Sequence, residues 1–232
     1  MATTFTDTLL TRGRITLRGR MPASSNATFL AELELDGAAG LAVYKPGRGE
    51  RPLWDFPPGL FARELAAYQL SEALGWGLVP PTVRREGPYG EGSLQLFVPA
   101  DFEQHYFTLL ERPEHHGALK RMCVFDLIAN NADRKGGHCL LGTDGRVWSV
   151  DHGLCFHTDP KLRTVMWDFE GMPIPDDLVS DMARFAVSLP EELGGLLDDE
   201  ESEALAARAA AIVKRPVFPS ARSARPYPWP LV

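Results

Sequence analysis

Two short stretches carry the side chains best suited to chemistry. Asn130-Asn-Ala-Asp133-Arg-Lys-Gly-Gly-His138 holds a carboxylate and, five positions on, an imidazole; Asp151-His-Gly153 places another carboxylate just before a glycine. A carboxylate and an imidazole on one face can share a divalent cation, and a further carboxylate nearby can orient a hydroxyl for attack. Two residues in the first half add complementary charge. Lys45 ends the apolar run Leu41-Ala-Val-Tyr-Lys, where its ammonium can neutralise phosphate oxygens. Glu64 lies three residues after Phe61 and four before Tyr68, so it borders the face that a helix there must bury. A carboxylate in that position needs a cation. Lys45 is a candidate; the alternatives are Arg63, Arg84 or a side chain turned out to solvent.

The elements that must position these groups are written as patterns. Residues 13–44 read as a β-meander: Ile15 and Leu17 alternate with polar neighbours, Phe29 to Leu35 alternates again, and Asp36-Gly37 makes a turn before Leu41 to Tyr44. After a Pro/Gly-rich loop over 46–59, the spacing of Phe61, Leu65 and Tyr68 predicts a helix ending at Leu74-Gly75. Strands are expected near 82–85 and 93–98, with Pro99 closing this half. The second half reads as mainly helical, over 117–128, 175–189 and 198–214, the last capped by Asp198 or Asp199. Between these helices lies a hairpin signal: His138 to Leu141, the turn Gly142-Thr-Asp-Gly145, then Arg146 to Val150. A four-residue loop pairs Leu141 with Arg146 and His138 with Ser149. Asp151 then falls on the same face as His138, at a diagonal separation of roughly 7–8 Å. The tail from Pro216 is expected to be extended and free to move. The fold class is therefore α+β and two-lobed. Residues 1–99 form a β-rich N-lobe with one long helix, residues 100–215 a mainly helical C-lobe carrying the loop and hairpin, and residues 216–232 a Pro/Arg-rich tail.

In kinase catalytic loops, the Asp that orients the acceptor hydroxyl is followed five residues later by a metal-binding Asn, and an acidic residue before glycine supplies a further metal ligand. Asp133, His138 and Asp151 follow that spacing. Val43-Tyr-Lys45-Pro, Phe61-Ala-Arg-Glu64-Leu-Ala-Ala-Tyr68, Asn131-Ala-Asp133-Arg134-Lys135 and Val150-Asp151-His-Gly153 together resemble the phosphatidylinositol 3-/4-kinase-like branch of atypical kinases and a small actinobacterial family related to it. The matching stretches lie between residues 43 and 153. The resemblance implies a protein-kinase-like fold and an ATP-dependent phosphotransferase using ATP, or another nucleoside triphosphate, with Mg²⁺ or Mn²⁺. It further implies that Lys45 holds the α- and β-phosphates, Glu64 orients Lys45, Asp133 is the catalytic Asp and Asp151 binds the metal. The family keeps Asn at the second metal position, where this chain has His138; imidazole suits softer ions than Mg²⁺. No G-x-G-x-x-G loop is present. The turn Met21 to Thr28, through Ser24, Ser25 and backbone N–H groups, is expected either to cover the phosphates or to be an ordinary surface turn. Residues Gln95 to Pro99 are expected to connect the lobes, with the backbone of Phe97 and Val98 against adenine.

Composition narrows the partners. The chain has 232 residues, 44% hydrophobic and 24% charged, with a formal net charge of -7, which describes a globular protein and argues against binding nucleic acid through a basic field. The same sign disfavours an anionic lipid surface and a lipid substrate. A protein side chain or a small polyol is the expected acceptor. No stretch approaches the roughly 18–20 apolar residues of a membrane span, and the N-terminus lacks a signal-peptide pattern. Three cysteines without a C-x-x-C pair fit a reducing cytoplasm. Three other readings stand beside the kinase one: a zinc site drawn from His138, Cys139, His152, Cys155 and His157; a module that holds nucleotide without transferring phosphate; and nucleotidyl transfer in a flipped pose.

Overall fold

The computed structural model describes residues 5–22, 24–187, 189–221 and 225–232. A first helix, α1 (Phe5–Arg12), precedes the strands β1 (Arg14–Arg20), β2 (Phe29–Leu35) and β3 (Ala38–Pro46). Helix α2 (Leu60–Ala73) follows, then β4 (Thr82–Gly87) and β5 (Gly90–Leu96). These five strands form one antiparallel sheet in the order β1-β2-β3-β5-β4. Successive strand residues point to opposite faces. Ala31, Leu33, Ala42, Tyr44 and Leu94 accordingly fill one face, onto which α1 lays Leu9 and Leu10. Val43 and Lys45 are out of phase with that core and remain half-buried on the other face. Helix α1 has no counterpart in the sequence reading, because its eight residues bury only Leu9 and Leu10 and are too few to show a period.

Helix α2 begins after Gly59, which has φ 91°. The Glu50 carboxylate accepts from the backbone N of Gly59 at 2.9 Å and of Phe61 at 2.8 Å, satisfying donors that the first turn leaves open. Ala66, Ala67 and Leu70 face the main core, and Gly75, at φ 68°, follows the helix as expected.

The second lobe holds β6 (Ala100–Asp101), α3 (Tyr106–Leu110), α4 (His116–Ala129), β7 (Cys139–Gly142), β8 (Val147–Ser149), α5 (Asp176–Val187) and α6 (Asp199–Lys214). Strand β7 runs between β6 and β8. Leu119, Met122, Phe125 and Ile128 of α4 pack with Met182 of α5 and with Leu205 and Ala209 of α6. Asp198 caps α6, its side chain accepting from Glu201 N at 2.8 Å. The expected helix over 175–189 is realised as α5; position 188 lies outside the described residues.

Two expectations are corrected. Leu141 faces Val147 and Cys139 faces Ser149, one residue out of the expected register. Gly142 N donates to Arg146 O at 2.9 Å, and Gly145 has φ 78°, so a three-residue loop with a left-handed glycine closes the hairpin instead of a four-residue loop. His138 leaves the strand and ends the 3-10 turn Gly136–His138. The tail is also not free. Phe218 N donates to Met172 O, and Pro226 and Leu231 accept from the C-lobe as described below.

Candidate active site

Lys45 reaches across the inner face of the N-lobe sheet to two carboxylates. Its Nζ pairs with Glu64 Oε1 and lies 2.9 Å from Asp151 Oδ1. The other Glu64 oxygen accepts from His152 N at 3.0 Å, so both oxygens of a side chain only 3% exposed have partners. Burial pushes the Glu64 carboxyl above its ordinary value, and Lys45 pulls it back. Burial likewise opposes the charge on Lys45, but Asp151 and Glu64 outweigh it and hold the ammonium above its usual range. Asp151 is held well below the usual carboxylate range, first by Lys45. Of Lys45, Arg63 and Arg84, Lys45 is the cation that meets Glu64.

His138 and Asp151 do meet, although not through the expected pairing. Val150 N donates to His138 O at 3.1 Å, which extends the ladder by one pair and sets Asp151 past its end. Asp151 adopts φ 61°, a left-handed conformation that Asp tolerates better than most residues. Its Oδ2 lies 3.4 Å from His138 Nε2. Burial pushes the imidazole down to about 4, so it is neutral at ordinary pH. Lys135 N approaches His138 Nδ1 at 3.4 Å, a long contact that leaves Nε2 turned toward Asp151.

Asp133 stands in the loop between α4 and β7. Lys135 Nζ lies 3.1 Å from its Oδ2, and its own backbone N donates to Asn131 Oδ1 at 2.9 Å. Burial raises the Asp133 carboxyl, and Lys135 offsets it. The residue that organises this loop is Arg134, whose side chain is fully buried against Asp126. Its Nε and Nη2 take both Asp126 oxygens at 2.8 and 2.9 Å, and Nη1 donates to Val150 O at 2.9 Å. Nη2 also meets Ser149 Oγ at 2.6 Å and His152 Nε2 at 3.0 Å. Asn131 Nδ2 adds a bond to Asp126 Oδ1 at 2.9 Å. One guanidinium thus joins α4, the end of β8 and the Asp151-His152-Gly153 turn. Asp126, Ser149 and His152 were not singled out for this role from the sequence. The available signal was Asp126 within the run Met122-Cys-Val-Phe-Asp-Leu-Ile128, since a carboxylate in an apolar helix face requires a buried partner.

The remaining candidates lie apart from this cluster. Gln95 is buried, and its Nε2 donates to Thr82 Oγ1 at 2.9 Å. Phe97 N donates to Leu41 O at 3.0 Å and is not free for a ligand; the Val98 side chain is buried. Ser24 is half-buried and Ser25 exposed, in a turn braced by Met21 N to Thr28 O at 2.8 Å and Ala27 N to Gly49 O at 3.0 Å. Position 23 of that turn lies outside the described residues.

Among the described residues no three His, Cys, Asp or Glu side chains converge as a metal cage, which removes support from the zinc reading. Cys139 and Cys155 are buried thiols, and burial pushes Cys139 up to about 12. Asp151 and His138 form a two-residue donor set. An ion held there would need its remaining ligands from phosphate oxygens and water, and the imidazole suits an ion softer than Mg²⁺. Among the described residues no helix is long and apolar enough to cross a membrane.

Residues 77–208 match the family model for phosphatidylinositol 3- and 4-kinase. "Protein Rv2133c" of Mycobacterium tuberculosis is 44% identical over 260 residues, covering 96% of this chain and 94% of its own. Among solved structures, the Helicobacter pylori proinflammatory kinase CtkA superposes with a TM-score of 0.52 at 11% identity, covering 90% of this chain and 94% of its own. Hydra Fam20, solved with sugar, gives a TM-score of 0.52 at 15% identity, covering 89% and 86%. At these identities the likeness is one of fold, and the shared fold is the two-lobed kinase architecture.

Proposed function

Because the chain belongs to the phosphatidylinositol 3- and 4-kinase family, we propose that it is an ATP-dependent phosphotransferase acting on a hydroxyl of a protein side chain or a small polyol. The observation that carries the reading is Lys45 held between Glu64 of the N-lobe and Asp151 of the C-lobe. In this reading Lys45 neutralises the α- and β-phosphates while Glu64 keeps it in place. Asp151 and His138 hold the divalent ion, Mg²⁺ or Mn²⁺, and that ion supplies charge neutralisation on the transferred phosphoryl group. Asp133 takes the acceptor's proton. Its raised carboxyl is better matched to that task than a fully acidic one, and Lys135 limits the rise. Gln95, Phe97 and Val98 border the adenine, with the Phe97 contact restricted to its carbonyl because its N–H is bonded. Ser24 and Ser25 cover the phosphates.

A second reading, nucleotide binding without transfer, is favoured by His138 standing where the family keeps Asn. One experiment separates the two. Calorimetry with ATP and Mg²⁺ or Mn²⁺ should show binding that stabilises the fold by roughly 2.7 kcal/mol at 100 times the dissociation constant, and ADP should accumulate. Binding without ADP favours the second reading; no binding with either metal removes both.

A further inference from the structure

Residues 134–136 of the catalytic loop make three backbone bonds outside the loop. Arg134 N donates to Arg163 O at 3.0 Å, Val165 N donates to Arg134 O at 3.1 Å, and Gly136 N donates to Leu231 O at 2.7 Å. The first two come from the segment that follows the Asp151 turn; the third comes from the tail. Between these anchors sits Lys135, whose ammonium holds Asp133. We propose that the tail Pro226 to Val232 is a positioning strap for the catalytic loop, fixing the peptide after Lys135 and through it the Asp133 carboxylate.

The strap is held mainly by its backbone. Pro226 O accepts from Thr164 N at 3.0 Å and from Trp167 Nε1 at 3.1 Å, and Pro228 is buried. Trp229 is 86% exposed and Tyr227 51%, so burial of these large side chains does not account for the docking. Gly136 is shaped to this contact. A Cβ there would lie 3.3 Å from Leu231 O, 3.3 Å from a Val232 methyl and 3.2 Å from the Phe107 ring. Any larger residue pushes the tail or Phe107 away. The tail therefore approaches the loop at a position where the sequence keeps no side chain.

The activity arm of the test rests on the phosphotransferase reading; the exchange arm does not. The full chain, a variant lacking residues 226–232 and Gly136→Ala are compared by hydrogen exchange over 133–138, by thermal shift with ATP and Mn²⁺, and by ADP release to water. Losing the tail's carbonyl should speed exchange at Gly136 about tenfold, the equivalent of one hydrogen bond. ADP release should fall by a similar factor, with the ATP-induced shift retained. Gly136→Ala should move in the same direction, and a peptide of residues 225–232 added to the shortened chain should restore release in a saturable way. Unchanged exchange in the shortened chain, or release that rises when the tail is removed, overturns the strap. If the full chain binds ATP but releases no ADP, the transfer reading fails while exchange still decides the strap. If the shortened chain does not fold, Gly136→Ala decides it, because an added Cβ there would press on Leu231 O, Val232 and the Phe107 ring with the chain intact: faster exchange at position 136 supports the strap and unchanged exchange overturns it.

Discussion

Lys45→Met removes an ammonium from between two carboxylates while keeping an unbranched stem of similar length. The two partners should respond unequally. Glu64 is 3% exposed and Asp151 51%, so only Glu64 becomes a buried charge without a cation. Breaking a buried pair by deleting one partner costs about 3–5 kcal/mol, whereas a half-exposed carboxylate loses about 0–1 kcal/mol. The bond from His152 N to Glu64 remains, which places the expectation at the lower end, about 3 kcal/mol. The sign of its pH dependence follows from Glu64. Burial already raises its carboxyl, and Lys45 is the leading opposing influence. Without Lys45 the folded-state value rises further above the unfolded value of about 4.3. The folded variant then binds that proton more tightly, so its stability falls as pH climbs from about 4.3 through the folded value. Denaturant unfolding should show a small defect at about pH 5 and the full loss at about pH 8. Adding Glu64→Gln should recover most of the loss at the higher pH and flatten the slope. A loss that is independent of pH, or one that Glu64→Gln leaves untouched, refutes the assignment of the cost to a buried Glu64.

Asp133→Asn should abolish ADP release with nucleotide affinity nearly intact, whereas Asp151→Asn should weaken metal-nucleotide binding itself, as read by calorimetry; equal loss of binding in both contradicts the division of roles. Burial holds His138 down to about 4, so it stays neutral and Mn²⁺-supported activity should keep its plateau down to about pH 5. Because an unfolded histidine takes its proton near 6.5 and the folded one does not, His138 should instead cost folding stability as pH falls below about 6.5. His138→Asn should retain activity with Mg²⁺ and lose preference for Mn²⁺, and His138→Ala should be much worse; identical behaviour of the two would make His138 a bystander. Arg134→Met should cost about 3–5 kcal/mol by leaving Asp126 buried without its cation, and adding Asp126→Leu should recover much of it. Additive losses in that double-mutant cycle would count against the coupling.

The lobes and their main elements were legible because their signals are local. The β2 and β3 alternation and the acidic cap of α6 appear where their patterns place them; α2 forms over the expected span, but it meets the main core through Ala66, Ala67 and Leu70 while Phe61 and Tyr68 stay half-buried. Lys45 and Glu64 were also readable, since a carboxylate bordering a buried helix face demands a cation. The hairpin register was not, because Gly142-Thr-Asp-Gly145 can close as a three- or four-residue loop and only the left-handed Gly145 decides. The contact between His138 and Asp151 is expected from the spacing, but it is made from beyond the end of the ladder, with Asp151 at a positive φ that spacing cannot express. The Arg134 network was hidden for another reason. An Arg in a loop ordinarily reads as solvated, and its burial depends on Asp126 from α4 meeting Ser149 and His152 from the end of β8 and the turn after it. The tail illustrates the reverse error, since proline-rich sequence argues for extension but says nothing about what its carbonyls can accept.

The placement of α2 follows from bonds on both sides of Glu64. Arg63 Nη1 donates to Cys155 O at 2.6 Å, and its Nη2 pairs with Glu201 of α6. Glu64 takes Lys45 on one oxygen and His152 N on the other. Helix α2 is thus fastened to the C-lobe by two adjacent residues, one cationic and one anionic, with their partners in the Asp151 turn region and in α6. Swinging it outward would break the Arg63–Glu201 pair and the bonds to Cys155 O and His152 N together. The alignment of Lys45, Glu64 and Asp151 is therefore built into the resting fold. Arg63→Met/Glu201→Leu would relieve the charge while removing the fastening. In that double variant, hydrogen exchange along α2 should rise even where global stability is kept; unchanged exchange would show that the Glu64 contacts suffice to hold the helix.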